Sequence, residues 1–332
     1  MMRPDLPGSA STNPASLNGP AGIDRPTLPG HSSVSPRFFS PRNLVRRFDP
    51  TSRVVRDGAG MPETLGQFGT LEVRLARTTK DIRRAQRLRF KVFFNEMSAT
   101  PNARSFVSRR DIDPFDRICD HVLVIDHAAK MNRFGKPKPK VIGTYRLLRS
   151  DVAAAHGTDF YTAGEYDLKN LIAANPGMRM LELGRSCVLK PYRNKRTVEL
   201  LWHGVWQYIL HHRIDLMFGC ASFEGTDPGA HAMPLSFLHH HAKAPETLAA
   251  RALPWRYTGM NLLAKDEIDL KTAMKSLPPL IKGYLRLGAT FGEGAVIDRQ
   301  FGTTDVFVAL KVGDIDPRYV AHYGEGMSQK PV

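Results

Sequence analysis

Chemistry is concentrated in one short stretch of this chain. The run MLELGRSCVL, residues 180–189, sets Glu182 and Arg185 into apolar sequence whose alternation reads as a strand. Strict alternation puts Glu182, Gly184 and Ser186 on one face, and Leu181, Leu183, Arg185 and Cys187 on the other. Arg185 would then be buried among apolar neighbours, so the register is expected to break. A bulge at Gly184 would supply the break, bring Glu182 and Arg185 toward one cleft and release backbone N–H groups from the ladder. Freed donors of this kind can hold the oxyanion of an acyl-transfer intermediate. The competing explanation is an ion pair that only organises a sheet edge.

The loop that follows, PYRNKRT, carries Arg193, Lys195 and Arg196 into the start of a helix. A helix amino terminus offers unpaired N–H groups and the positive end of a dipole, and fixed cations beside it favour a phosphate. Basic loops are common on a basic protein, so it is the position after the bulged strand that singles this one out.

These residues need a scaffold, and the periodicity supplies one. Leu71, Val73 and Leu75 alternate as a strand, and Thr78 followed by Asp81 resembles a helix-opening cap. The next helix carries Ile82, Ala85, Leu88, Val92 and Phe93 at near-helical spacing, with Arg83, Arg84, Arg87 and Lys91 on or beside the opposite face. That basic face is either solvated or a carrier-protein contact. Apolar runs at 122–125 and 141–148 flank a connection containing Gly, Pro and Lys, as in an antiparallel hairpin. After the 180–189 strand, a helix is predicted over 197–212, with Val198, Leu201, Val205 and Ile209 on one face, and then a strand over 215–220. Strand, helix, strand in that order implies a parallel crossover. The fold class is α/β: a mixed sheet flanked by helices.

The 332 residues suit one large domain plus a tail. Residues 1–68 read as a disordered basic tail rich in Pro, Ser and Gly, 69–323 as the folded domain and 324–332 as a flexible carboxyl terminus. Cys119, Cys187 and Cys220 are odd in number and lack paired metal spacing, which points to a reducing compartment. There is no apolar run of the ~20 residues a spanning helix needs and no secretory leader, so a soluble cytoplasmic protein is expected. The formal charge of +15 favours an acidic partner. Nucleic acid is not expected, because its usual binding motifs are missing. The tail's Arg42, Arg46, Arg47, Arg53 and Arg56 suit contact with an anionic membrane surface, at ~1 kcal/mol each, with a solvated linker as the alternative. The run His239, His240, His241, with His231 nearby, suggests a metal, but adjacent residues point in different directions and no metal is expected.

From Leu71 to about Tyr323 the chain resembles the GNAT acyltransferase superfamily, and within it the ornithine N-acyltransferases of bacterial ornithine-lipid synthesis, the hemolysin-like acyltransferases. The resemblance lies in RLRFKVFFNEM, RDIDPFD, VIGTYRLL, LELGRSCVLKPYR, CASFEGTDP, LSFLHH, LPPLIKGYLRLGA and FGTTDVFV, in this order. DPFD, the segment around Arg146, and Glu182 with Arg185 are also similar to acyl-homoserine-lactone synthases. The resemblance implies a GNAT fold whose mixed central sheet splays between the strands at 180–189 and 215–220 to admit a phosphopantetheine arm. It implies a 3-hydroxyacyl donor on acyl carrier protein, no bound cofactor, and the α-amino group of L-ornithine as acceptor.

On that reading Glu182 is the leading base, with Asp113 and Asp116 the next candidates. Backbone N–H groups of Ser186, Cys187 and Val188 face the oxyanion. Arg146 and Arg185 suit the substrate carboxylate, which a guanidinium binds bidentately. Glu224 and Asp227 suit the ornithine side-chain ammonium, and Arg193, Lys195 and Arg196 the phosphate of the arm. Where the superfamily loop carries its two glycines, this chain has Arg196 and Val198, which disfavours a coenzyme A pyrophosphate cradle. The Cys187 thiol is expected to pack in the core. The segment 277–287, with Tyr284, is expected to be core, an acyl tunnel being the alternative. A lipid-like product suits peripheral attachment to the inner membrane face. A membrane-binding effector without catalysis is the reading from another class.

Overall fold

The computed structural model describes residues 60–319, apart from 98, 130, 132–133 and 136–137. The tail arginines and the carboxyl-terminal segment lie outside the described residues. The strands are β1 (Gly66–Phe68), β2 (Leu71–Leu75), β3 (Asp120–Asp126), β4 (Lys140–Arg149), β5 (Tyr166–Asp167), β6 (Met180–Val188), β7 (Leu216–Glu224), β8 (Arg251–Ala252), β9 (Tyr257–Thr258), β10 (Thr290–Asp298) and β11 (Thr303–Lys311). They form one mixed sheet in the order β1-β2-β3-β4-β6-β7-β11-β10-β8-β5, with β9 on β10.

The folded region starts earlier than composition suggested. β1 pairs with β2, Gly66 opposite Val73, and Met61 and Leu65 are buried. A segment poor in apolar residues still docks when those few side chains reach an existing core. All seven residues of β3 are buried, because helices cover both faces of the sheet there: Gly204 of the Lys195–His212 helix packs on Val73 and Val122, and on the other face Arg74 of β2 pairs with Asp81 of the Thr79–Phe90 helix.

The Thr79–Phe90 helix opens as its sequence dictates, the Thr78 hydroxyl accepting from the Asp81 N–H at 3.1 Å. It does not run regularly to Phe93. A π-helical turn, Lys91–Glu96, follows, and such a turn re-aims side chains. Val92 stays buried while Phe93 is half-buried. The Lys195–His212 helix is capped by the Asn194 side chain, which accepts from the Thr197 N–H at 3.0 Å. It carries the crossover from β6 to β7, which are parallel.

That parallel pair is the feature on which the site rests. β6 pairs with β4 from Leu181 to Val188. With β7 it pairs only at Met180↔Leu216, Leu181↔Met217 and Glu182↔Phe218, after which the strands part. Just past the last pair, a Cβ at Gly219 would collide with the Leu183 carbonyl oxygen, so the strands approach most tightly where they are about to diverge. Along β7 the side chains alternate between two cores. Leu216 and Phe218 join Leu148, Phe160 and Phe307, while Met217, Ala221 and Phe223 join Leu201 and Val205.

Gly219→Ala should therefore strain the backbone at the vertex and destabilise the fold by about 1–3 kcal/mol. Equilibrium denaturation checks this, and an unchanged midpoint would contradict the close approach.

Candidate active site

A bulge relieves the conflict in β6, one residue later than expected. Gly184 faces Arg146 and Cys187 faces Thr144, so Arg185 and Ser186 together oppose Tyr145. The left-handed residue is Arg185, at φ 51°, a conformation that costs a non-glycine residue on the order of 1 kcal/mol. Ion pairs offset that cost. Arg185 places Nη2 3.0 Å from Asp113 Oδ2 and Nε 3.3 Å from Asp111 Oδ2, and its guanidinium lies 4.7 Å from the centroid of the Phe301 ring.

Two more arginines complete a buried network. Arg89, fully inaccessible, donates from Nη1 and Nη2 to Asp116 at 2.8 and 2.7 Å, and its Nε lies 2.8 Å from Asp111 Oδ2. Arg146 Nη1 sits 2.9 Å from Asp113 Oδ1 and 3.5 Å from Asp116 Oδ1. Burial alone would raise both carboxyls, but Arg146 and Arg185 hold Asp113, and Arg89 holds Asp116, below the usual range. Three aspartates against three arginines make the cluster neutral.

This geometry changes the expected role of Asp113 and Asp116. Neither lines the cavity described below, and both are locked as carboxylates beneath the bulge. Asp113 also accepts from the Phe115 N–H at 2.8 Å, as a turn cap. Their ion pairs hold Arg146 and Arg185 in place, and neither carboxylate reaches the cavity lining as the expected role requires.

Glu182 sits at the last β6–β7 pair and lines a cavity of about 940 Å³. Its oxygens accept from the Tyr161 and Thr162 N–H groups at 3.0 and 2.6 Å. Burial pushes its carboxyl above the usual value, and those bonds with Arg146 nearby only partly offset the rise. The same cavity is lined by Ser186, Cys187 and Val188. The Leu189 N–H donates to Ile142 O at 2.9 Å, so regular alternation turns the Cys187 N–H toward β4 and those of Ser186 and Val188 toward the gap. Cys187 therefore leaves the expected set of oxyanion donors. Burial pushes its thiol up to about 12, consistent with the expected packing role.

The basic loop divides. Arg193 and Lys195 line the cavity. Arg193 is engaged, its Nε donating to Val188 O at 2.9 Å and its Nη2 to Glu96 at 2.7 Å. Lys195 is exposed, 3.6 Å from Glu199. Arg196 turns away and lies over the Phe68 ring at 5.1 Å, because the first helical turn points its side chain around the far side. Glu224 and Asp227 also fall outside the cavity. Both are exposed, Asp227 capping the Gly229 N–H at 2.9 Å; β7 runs past the gap before the chain reaches them. The 277–287 segment contributes Pro279, Leu280, Gly283, Tyr284, Arg286 and Leu287 to the cavity wall, which favours a tunnel lining over plain core.

Sequence reasoning missed the cavity's acidic wall. Glu165, Asp298 and Asp305 line it, with one carboxylate oxygen of each within 4.8 Å of the others, a spacing that could hold a cation. A usable signal existed at Asp305, an acid inside the apolar strand run TTDVFVAL. Asp298 ends β10, and Glu165 follows a single 3₁₀ turn, Tyr161–Gly164. The histidines do not converge: His240 bonds Asn261 at 2.8 Å and His241 stacks on Phe237.

A bulged strand, a parallel partner that diverges from it and a cavity entering the gap define a GNAT-type N-acyltransferase. A family model described as an acetyltransferase (GNAT) domain matches residues 88–203. L-ornithine N(alpha)-acyltransferase of Brucella abortus (strain 2308) is 53% identical over 260 residues, 78% of this chain and 91% of that protein. The protein of the same description from Agrobacterium fabrum (strain C58 / ATCC 33970) is 48% identical over 275 residues, 83% and 91% of the two chains. The chain belongs to the L-ornithine N(alpha)-acyltransferase family. Among solved structures, the CoA-dependent acyl-homoserine lactone synthase MesI is similar at a TM-score of 0.40 and 12% identity, over 78% of this chain and 97% of that one.

Removing Arg89 would strand Asp111 and Asp116. The depressed Asp116 carboxyl contributes stability above its unfolded value of about 3.9 that is lost as pH falls through the folded value. Arg89→Met should lower stability at neutral pH by about 3–5 kcal/mol and move acid unfolding to higher pH. Chemical denaturation across a pH series measures both, and an unchanged acid limb would show that the network is not electrostatically coupled.

Proposed function

We propose that this enzyme transfers a 3-hydroxyacyl group from the phosphopantetheine thioester of acyl carrier protein to the α-amino group of L-ornithine, giving lyso-ornithine lipid. The observation that carries the reading is one cavity in the β6–β7 gap with an apolar wall and an acidic wall. The names of the relatives supply the acceptor. Val92, Phe93, Leu201, Trp202, Leu280 and Leu287 line the apolar side, suited to an acyl chain. There Tyr145 and Tyr284 join hydroxyls at 2.6 Å, and Tyr145 also bonds Ser186. Those hydroxyls suit the donor's 3-hydroxyl, which lies two carbons from a carbonyl seated beside Ser186 and Val188.

In the reaction, the ornithine α-ammonium first gives a proton to Glu182, directly or through water. The freed amine attacks the thioester carbon, and the oxygen takes up the charge opposite the Ser186 and Val188 N–H groups. Collapse breaks the C–S bond and the departing thiolate takes up a proton, leaving an amide. Arg185 suits the substrate carboxylate, since it lines the cavity and only part of its donor fork faces the aspartates. Arg146 also lines the cavity and steadies Glu182 through its charge.

Two features support a carrier-protein donor. Loop glycines that would admit a pyrophosphate are replaced by Arg196 and Val198. Arg83, Arg87 and Arg104 crowd Arg110, which burial and their repulsion push below its usual value, a concentration of like charge that an acidic partner would relieve. Exposed Phe106 and Val107 lie in the same region of the chain. Among the described residues no helix is long and apolar enough to cross a membrane. The charge of +15 favours peripheral contact with an anionic inner leaflet.

Glu182→Gln should fold with a near-normal thermal midpoint and lose kcat by about 10²–10⁴-fold in N-acyl-ornithine formation with carrier-protein thioester. The wild-type rate should fall on the acid side at a pH above the ordinary glutamate range, because only the carboxylate accepts the proton. Retained turnover would remove Glu182 as the base. Reversing Arg87 and Arg110 to Glu should raise KM for the carrier-protein donor about 10-fold or more while leaving kcat near normal. An unchanged KM would place docking elsewhere.

A further inference from the structure

We infer that Glu165, Asp298 and Asp305 form the receptor for the acceptor's second, side-chain ammonium, so that this wall of the cavity selects α,ω-diamino acids over amino acids with neutral side chains. The inference rests on the acyl-transfer reading above and adds a specificity site to it. Asp305 is 7% exposed, and its Oδ1 is buried without a hydrogen-bond partner in a side chain that lines the cavity. Burial and the neighbouring Glu165 push its carboxyl up to about 7, as expected where acids are gathered without enough positive charge. Arg256 approaches Glu165 at 3.4 Å and leaves the trio net negative.

Two of the three acids are fixed from behind. Cys220 Sγ donates to Glu165 Oε2 at 3.3 Å. Asp298 Oδ1 accepts from the Gln300 and Phe301 N–H groups at 2.8 and 3.0 Å. Three residues therefore present acceptors to one space, and an ammonium brings three donors. A hard dication asks for six or more oxygen ligands, while the immediate neighbours here include the Cys220 thiol.

The spacing from the base also fits. Glu182 is held by the N–H groups of Tyr161 and Thr162 at the start of the 3₁₀ turn, and Glu165 stands at its end. At about 2 Å of rise per residue, the two sites lie roughly 6–8 Å apart along the turn, a reach suited to a diamine with a few methylenes between its nitrogens.

The test uses the full-length enzyme and carrier-protein thioester, with ornithine, its shorter and longer diamino homologues, and norvaline, which has the same carbon chain without the second amine. Wild type should prefer ornithine to norvaline by ~100-fold or more in kcat/KM. Asp305→Asn with Asp298→Asn should raise KM for ornithine at least ~10-fold, spare kcat at saturation and bring the preference below ~10-fold. Glu165→Gln, checked by thermal unfolding, guards against a folding defect in the double variant. A folded variant that keeps the full preference for ornithine overturns this inference and leaves the acyl-transfer reading standing. So does activity abolished by EDTA and restored by Mg²⁺ or Ca²⁺, which would mark the trio as a metal site. A wild-type enzyme that acylates none of these acceptors overturns both.

Discussion

Everything distinctive here follows from one inequality of pairing: β6 bonds to β4 along most of its length but to β7 over only three residues. A parallel pair left open would normally expose a row of unpaired backbone groups at great cost. It persists because β4 and β11 hold β6 and β7 separately, each with long antiparallel registers. The sheet carries the fold, and the gap stays open to the cavity.

The neutral cluster of Arg89, Arg146 and Arg185 with Asp111, Asp113 and Asp116 has the same logic. A guanidinium at a bulge, in a left-handed conformation and surrounded by apolar strand, would be intolerable alone. Paired, it becomes a rigid part of the cavity wall. Buried pairs seldom add net stability compared with apolar packing, so fixing the orientation of Arg146 and Arg185 beside Glu182 is the better account of why such a network is retained.

Much of the scaffold was legible because its signals are local. The Thr78 cap, the 122–125 and 141–148 hairpin and the strand-helix-strand crossover all depend on neighbours in sequence. Alternation even forced a bulge into 180–189, though it named Gly184 where Arg185 takes the strained conformation. What periodicity could not supply was which distant charges meet. Asp113 and Asp116 looked catalytic as isolated carboxylates in a turn, but Arg89, 27 positions before Asp116, reaches that carboxylate, and Arg146 and Arg185 from two other strands reach Asp113. Glu224 and Asp227 were chosen because they follow the splayed strand, yet two further residues of strand carry a side chain well past an opening.

The two groups of acids then differ in a way that assigns their work. Asp113 and Asp116 face arginines and are held as anions whether or not substrate is present. Glu165 and Asp305 are buried where positive charge is short, and both carboxyls are raised. On a protein with net charge +15, an internal site short of cations is not a consequence of composition, since basic side chains are abundant in the chain. Among the described residues Arg256 alone forms an ion pair with this wall, which leaves a negative pocket in the cavity that Glu182 also lines. On the proposed reading, a dicationic amino acid would supply the missing charge there, and a neutral one would not.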